Sequence, residues 1–214
     1  QYEHLKGVGI GINEAAKTIA VTVPYGTNVT NLTPTITVSP NATVSPLSGT
    51  AQNFTNPVTY TVTAQDSSTQ DYVVTVTVAP PSSNNNLNNL VLKKASNNTT
   101  ISIGAFSSGT ISYNATVPYT TDSVTVTPTV ADSTATVTVN GTPVNSGSAS
   151  GAINLPNTGA TVNTITVAVT AQNSSTKTYT IQVTRTAPSS NNNLSALVLR
   201  SGTTGLDFTP AFAS

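Results

Sequence analysis

Apolar and polar residues alternate with period two along most of this chain. The pattern is clearest in Thr18-Ile19-Ala20-Val21-Thr22-Val23, Thr59-Tyr60-Thr61-Val62-Thr63 and Tyr72-Val73-Val74-Thr75-Val76-Thr77-Val78. It returns in Val124-Thr125-Val126-Thr127, Thr134 to Val139, Ile165 to Val169 and Tyr179 to Val183. Successive side chains of a strand point to opposite faces, so Val, Ile and Tyr fall on a buried face and Thr on a wet one. Threonine is β-branched, so the wet face keeps strand propensity without charge. The only helical expectation is one turn over Asn13-Glu14-Ala15-Ala16-Lys17. Breaks rich in Pro, Gly and Asn recur roughly every 8 to 14 residues, the spacing of a sandwich. The pattern predicts an all-β chain.

The chain also repeats itself. Val23-Pro24-Tyr25 returns as Val117-Pro118-Tyr119, and Thr33-Pro34-Thr35 as Thr127-Pro128-Thr129. Farther on, Ala64-Gln65-Asp66-Ser67-Ser68-Thr69 returns as Ala171-Gln172-Asn173-Ser174-Ser175-Thr176, and the Pro81–Leu87 segment as Pro188–Leu194. The shift grows from 94 to 107 residues, which places a 13-residue insertion of the second copy between Thr129 and Ala171. Its expected home is the Asn140-Gly141 turn, a strong hairpin signal, with the Gly/Ser-rich stretch that follows. The expected organisation is a sandwich over 1–79 and a Pro/Ser/Asn linker over 80–86, then a second sandwich over 87–187 and a linker over 188–193. Residues 194–214 open a partial third repeat. A short, proline-stiffened linker favours an extended rod.

Leu87-Asn88-Asn89-Leu90-Val91-Leu92 reads as the first strand of the second copy, and Leu194-Ser195-Ala196-Leu197-Val198-Leu199 repeats it. Carried back by 94, that strand falls before residue 1, so the first copy starts without it in this register. Two readings fit. The chain is a window of a longer repeat array, or the C-terminal strand completes the first copy of a neighbour. Leu194, Leu197, Leu199, Phe208 and Phe212 are the candidate assembly residues.

The second copy resembles the cadherin-like β-sandwich domains of bacterial surface proteins. The residues that carry this are Leu87-x-x-Leu90-x-Leu92, Phe106, Ser112-Tyr113-x-x-x-Val117-Pro118, Val124-x-Val126-x-Pro128, Val139-Asn140-Gly141, Thr170-Ala171-Gln172 and Lys177 to Val183. The first copy is similar to a related Ig-like repeat, through Lys17-Thr18-Ile19-x-Val21-x-Val23-Pro24-Tyr25-Gly26 and Phe54-x-x-Pro57 to Ala64. The resemblance implies tandem Ig-like, antiparallel β-sandwiches in an extracellular, multi-copy structural or adhesive module at a cell surface. It carries no catalytic motif.

Composition narrows the chemistry. Thr, Ser and Asn supply 89 of 214 residues, and seven basic residues balance seven acidic ones. There is no Cys, Met or Trp, and His4 is the single histidine. That excludes disulfides, thiolate nucleophiles, Cys zinc sites and multi-His metal sites. A neutral chain lacks the basic footprint for nucleic acid, and no long apolar stretch predicts membrane insertion. Asp66 and Asp71 flank a predicted hairpin turn, where Asp bonds local backbone. The linkers carry no acid, so calcium is not expected between copies. A Lys–Asn cross-link through Lys93 or Lys17 lacks its Asn partner on the last strands. The expectation is therefore no enzyme and no cofactor.

Three surface features remain. Asn-x-Ser/Thr triplets are frequent, as an Asn- and Thr-rich chain produces by chance. Asp122-Ser123 and Asp132-Ser133 resemble a bacterial O-glycosylation signal at Ser123 and Ser133. Tyr25 and Tyr119, each after a repeated Val-Pro, are the expected exposed aromatic pair and the candidate glycan contacts. The expected function is a structural, adhesive repeat segment with neighbouring copies as partners. A carbohydrate-binding accessory module is the alternative.

Overall fold

The computed structural model describes residues 9–156, 161–192, 197–201 and 204–208. The chain divides into two compact units, residues 1–82 and 83–214.

The first unit builds one five-stranded sheet from β1 (Gly9–Asn13), β2 (Thr18–Val23), β3 (Thr43–Ser45), β4 (Val58–Thr63) and β5 (Thr69–Val78). Their order is β1-β2-β5-β4-β3. Asn13–Lys17, expected as a helical turn, is instead the tight turn that joins β1 to β2. The Asn13 side chain accepts from the Ala16 N–H at 3.0 Å, and Lys17 adopts φ 52°, which ends any helix there. β2 runs parallel to β5, with Val21 opposite Val76. β4 and β5 form the predicted hairpin, with Tyr60 opposite Tyr72. One face of the sheet is covered by a single turn of 3-10 helix (Val29–Asn31) and the chain that follows it.

The second unit is a two-layer sandwich. One sheet joins β8 (Ser112–Val117), β10 (Thr136–Val139), β11 (Thr142–Val144), β13 (Thr161–Thr170) and β14 (Thr176–Arg185), in the order β11-β10-β13-β14-β8. The other joins β6 (Leu87–Lys94), β7 (Thr100–Ile101), β9 (Ser123–Val130) and β12 (Ile153–Asn154), in the order β12-β9-β6-β7. The alternation is realised on β9, whose burial alternates over Val124, Val126 and Pro128, and on β8, where Tyr113, Ala115 and Val117 are buried. Between the sheets lies a continuous core that includes Leu87, Leu90, Leu92, Val126, Ile165, Val167, Tyr179 and Ile181. The parallel pair recurs, β8 beside β14, so each unit is antiparallel save for one pair. Asn140 and Gly141, at φ 48° and 80°, make the expected hairpin turn between β10 and β11, a geometry that needs two left-handed residues.

The second half of the expected 80–86 linker docks on this unit. The Asn86 carbonyl accepts from the Ala131 N–H at 2.9 Å, and its side chain accepts from Lys177 Nζ at 3.0 Å. Beyond the sandwich, β15 (Leu197–Ser201) pairs with β16 (Thr204–Phe208) as a two-stranded hairpin.

Candidate functional site

The first unit holds an open apolar groove of about 700 Å³. Alternation builds its floor: Ile19 and Val21 of β2, Val74 and Val76 of β5, and Tyr60 and Val62 of β4 share one face of the sheet. Leu32, Ile36 and Val38 form the opposing wall, and Phe54 and Val44 pack at its base.

Among the described residues the backbone of that wall is bonded along one edge alone. Leu32 exchanges both hydrogen bonds with Gln52, the Pro34 carbonyl accepts from the Gly49 N–H at 2.9 Å, and the Ile36 N–H donates to Ser48 Oγ at 2.8 Å. In extended chain the intervening residues point the other way. Thr33, Thr35 and Thr37 make no backbone hydrogen bond among the described residues.

The second unit shows what belongs on this edge. There the Pro128 carbonyl accepts from the Gly147 N–H and the Val126 N–H donates to Ser150 Oγ, so the outer edge is bonded in the same way. The inner edge pairs with β6, Val91 opposite Thr127 and Asn89 opposite Thr129. Leu87, Leu90 and Leu92 of β6 are 0–2% exposed between the sheets. A shift of 94 carries Thr127 and Thr129, which β6 pairs with in the second unit, onto Thr33 and Thr35, which line the groove of the first.

Two hydroxyls face the groove. Tyr60 is 3% exposed and its hydroxyl has no hydrogen-bond partner among the described residues. Burial raises its pKa above the ordinary tyrosine value. Tyr72 is the counterpart, by the shift of 107, of Tyr179. The Tyr179 hydroxyl accepts from the Leu87 N–H at 3.1 Å and donates to the Ser108 carbonyl at 3.0 Å. A buried orphan hydroxyl costs about 1–3 kcal/mol. We therefore expect Tyr60→Phe to stabilise the first unit by about that much, read from urea unfolding. The raised pKa adds a pH signature: the unfolded state ionises first as pH rises past 10, so wild-type stability falls from there until the folded value is reached. Tyr60→Phe removes that step, and an unchanged alkaline limb would contradict the assignment.

The second unit holds a polar clamp that the repeat logic did not single out. Arg185, 2% exposed, donates through Nε to the Tyr119 carbonyl at 2.8 Å, through Nη1 to the Leu155 carbonyl at 2.7 Å, and through Nη2 to Asp122 Oδ1 at 2.7 Å. Nη2 also meets the Tyr119 carbonyl. The sequence did carry a signal: Arg185 lies in phase with the buried Tyr179, Ile181 and Val183 of β14.

Two family models match the chain. One, described as a cadherin-like beta sandwich domain, matches residues 87–186. Over these residues the chain is similar to a cadherin-like β-sandwich domain. The other, described as SGBP, N-terminal, matches residues 4–76. No curated protein matches the chain. Among solved structures, a candidate glycoside hydrolase from Bacteroides thetaiotaomicron is 16% identical, with a TM-score of 0.32, over 84% of this chain and 80% of that one. The extracellular domain of a candidate one-component system from B. thetaiotaomicron is 8% identical, with a TM-score of 0.30, over 86% of this chain and 29% of that one. At these scores neither likeness bears on fold or function. Both family matches are to non-catalytic kinds of domain.

The residues singled out from sequence scatter over the two units. Tyr25 of the first unit is 52% exposed. Tyr119 of the cadherin-like domain differs from the expected exposed partner: it is half-buried, and the Arg185 guanidinium stacks on its ring at 5.1 Å. Ser133 is exposed in the turn before β10, and Ser123 is half-buried at the start of β9. Asp66 accepts from the Ser68 N–H at 3.0 Å and the Ser68 hydroxyl at 2.6 Å. These bonds hold its pKa below the ordinary carboxylate value. Asp71 accepts from the Thr61 hydroxyl at 2.6 Å. Both thus serve a turn and a strand pair. Lys17 bonds Glu14 at 3.1 Å, and Lys93 lies on β6. Leu197 and Leu199 lie on β15 and Phe208 on β16, while Leu194 and Phe212 fall outside the described residues. Among the described residues no acid/His group could hold a metal ion, and no helix is long and apolar enough to cross a membrane.

Proposed function

We propose that this chain is a non-catalytic structural and adhesive segment of a bacterial surface protein, and that its first unit binds a β-strand in the open groove. The observation that carries the reading is the groove itself. An apolar seat, an unpaired backbone edge and an orphan tyrosine hydroxyl coincide at the position where the cadherin-like domain seats Leu87, Leu90 and Leu92. Strand addition draws affinity from main-chain hydrogen bonds and specificity from alternate side chains, and the groove offers both. The SGBP and cadherin-like matches support a surface setting.

The test titrates a synthetic peptide of residues 84–94 into the full chain by calorimetry. We expect saturable one-to-one binding and, at a peptide concentration of about 100 Kd, stabilisation of the first unit by about 2.7 kcal/mol. A peptide with Leu90→Arg and Leu92→Arg should be inert. No heat and no stabilisation would remove the reading. Binding seen only after deletion of residues 1–8 would instead assign the groove to the chain's own N-terminal segment.

Glycan binding is the second reading, favoured by the match to the N-terminal domain of SGBP, a surface glycan-binding protein, and by the exposed Tyr25 ring. An apolar ring face on the surface is what sugars stack on. A glycan array would show polysaccharide binding that Tyr25→Ala abolishes. An array on which the wild-type chain binds nothing removes it.

A further inference from the structure

We infer that the strand seated in the groove is residues 194–199 of a second copy of this chain, so that copies join head to tail. The inference rests on the strand-binding reading above and names its partner.

Three observations select this strand. Its apolar spacing is that of the native plug: Leu194, Leu197 and Leu199 stand at the intervals of Leu87, Leu90 and Leu92, after an identical Pro-Ser-Ser-Asn-Asn-Asn run. The segment just before β1 offers Tyr2, Leu5 and Gly7 at those intervals, and the apolar alternative of Leu5, Val8 and Ile10 needs Ile10, which β1 already holds opposite Val21 of β2. Finally, β15 and β16 pair as a hairpin, Leu199 opposite Leu206. This reproduces β6 with β7, Leu92 opposite Ile101. In the cadherin-like domain that arrangement leaves the other edge of β6 free to pair with β9.

Chain direction favours a second copy over the chain's own groove. Asn86, where the chain enters the cadherin-like domain, is bonded to Lys177 at the start of β14. The chain leaves from Arg185 at the far end of that strand, about 30 Å away at strand rise. Residues 186–193 span about 28 Å at most, short of the distance back to Asn86. In a second copy the incoming backbone would pair with Thr33, Thr35 and Thr37, and its first amide would meet Tyr72, the counterpart of the Tyr179 that accepts from the Leu87 N–H. Such a contact joins two different surfaces and need not close, so it propagates.

The test is sedimentation and negative-stain imaging of the full chain over a concentration series, beside a donor variant (Leu197→Arg with Leu199→Arg) and an acceptor variant (Ile36→Arg). We expect concentration-dependent oligomers from wild type and about 100-fold weaker association for either variant, equivalent to about 2.7 kcal/mol. Each variant keeps one intact surface, so their mixture should form one-to-one pairs and nothing longer, which a misfolded variant could not do. Wild-type monomers that still bind the 84–94 peptide would overturn this inference and leave the strand-binding reading standing. Monomers that bind no peptide would remove both. Oligomers unaffected by the donor variant would also overturn it.

Discussion

Replacing Arg185 by leucine should lower the stability of the cadherin-like domain by about 2–5 kcal/mol, a large share of the roughly 5–15 kcal/mol of a domain this size. The ion pair contributes little of this. Asp122 is 86% exposed at its side chain, and an exposed partner makes a salt bridge worth about 0–1 kcal/mol. The loss comes from the hydrogen bonds that Arg185 donates from inside the fold to the carbonyls of Tyr119 and Leu155, which leucine cannot make, each at about 1–3 kcal/mol. Chemical denaturation followed by circular dichroism measures it, with Asp122→Asn as the comparison. We expect Asp122→Asn to cost less than about 1 kcal/mol. Equal losses from the two variants would show that the ion pair, rather than the carbonyl clamp, is what the arginine contributes. Arg185→Lys should fall between, because a single ammonium cannot serve two carbonyls and the Tyr119 ring as a planar fork does.

Leu92→Ala should cost the same domain about 2–5 kcal/mol. Leu92 is fully buried on the strand that closes the sandwich, and its removal leaves a void lined by both sheets. The first unit carries the same deficit natively, threefold, since nothing among its described residues fills the places of Leu87, Leu90 and Leu92. Its buried core is correspondingly small, Val44, Phe54 and Tyr60, with half-buried neighbours. Calorimetry of the full chain should therefore show two transitions, the lower from the first unit. Leu92→Ala should move the upper transition toward the lower one and leave the lower in place. A single transition that shifts as a whole would contradict the division of stability between the units.

Much of this was legible in the sequence because β-branched residues at period two encode both the strand and its buried face. The shifts of 94 and 107 marked the two copies, and the spacing of Leu87, Leu90 and Leu92 marked β6, the first strand of the second. Other features depend on three dimensions. The parallel pairing of β2 with β5 follows from crossover connections that local alternation does not encode. Asn13–Lys17 has helix-forming residues, but the four-residue link from Glu14 to Lys17 between two antiparallel strands has room for a turn only. Tyr119 repeats the Val-Pro-Tyr of Tyr25, yet it is half-buried because the second copy carries Arg185 where the first has Val78. The unpaired hydroxyl of Tyr60 was invisible for the same reason: its residue type said core, and only packing showed that no partner reaches it.

The account stands on the groove in the first unit, and a cysteine-free chain allows it to be tested by cross-linking. In the cadherin-like domain Val91 lies opposite Thr127, the counterpart of Thr33. The measurement is disulfide formation between the full chain carrying Thr33→Cys and the 84–94 peptide carrying Val91→Cys, scored by mass spectrometry under mild oxidation. The account predicts rapid formation of the mixed disulfide, suppressed by excess unmodified peptide. Formation no faster than with a scrambled peptide would mean that the groove does not seat this strand in this register.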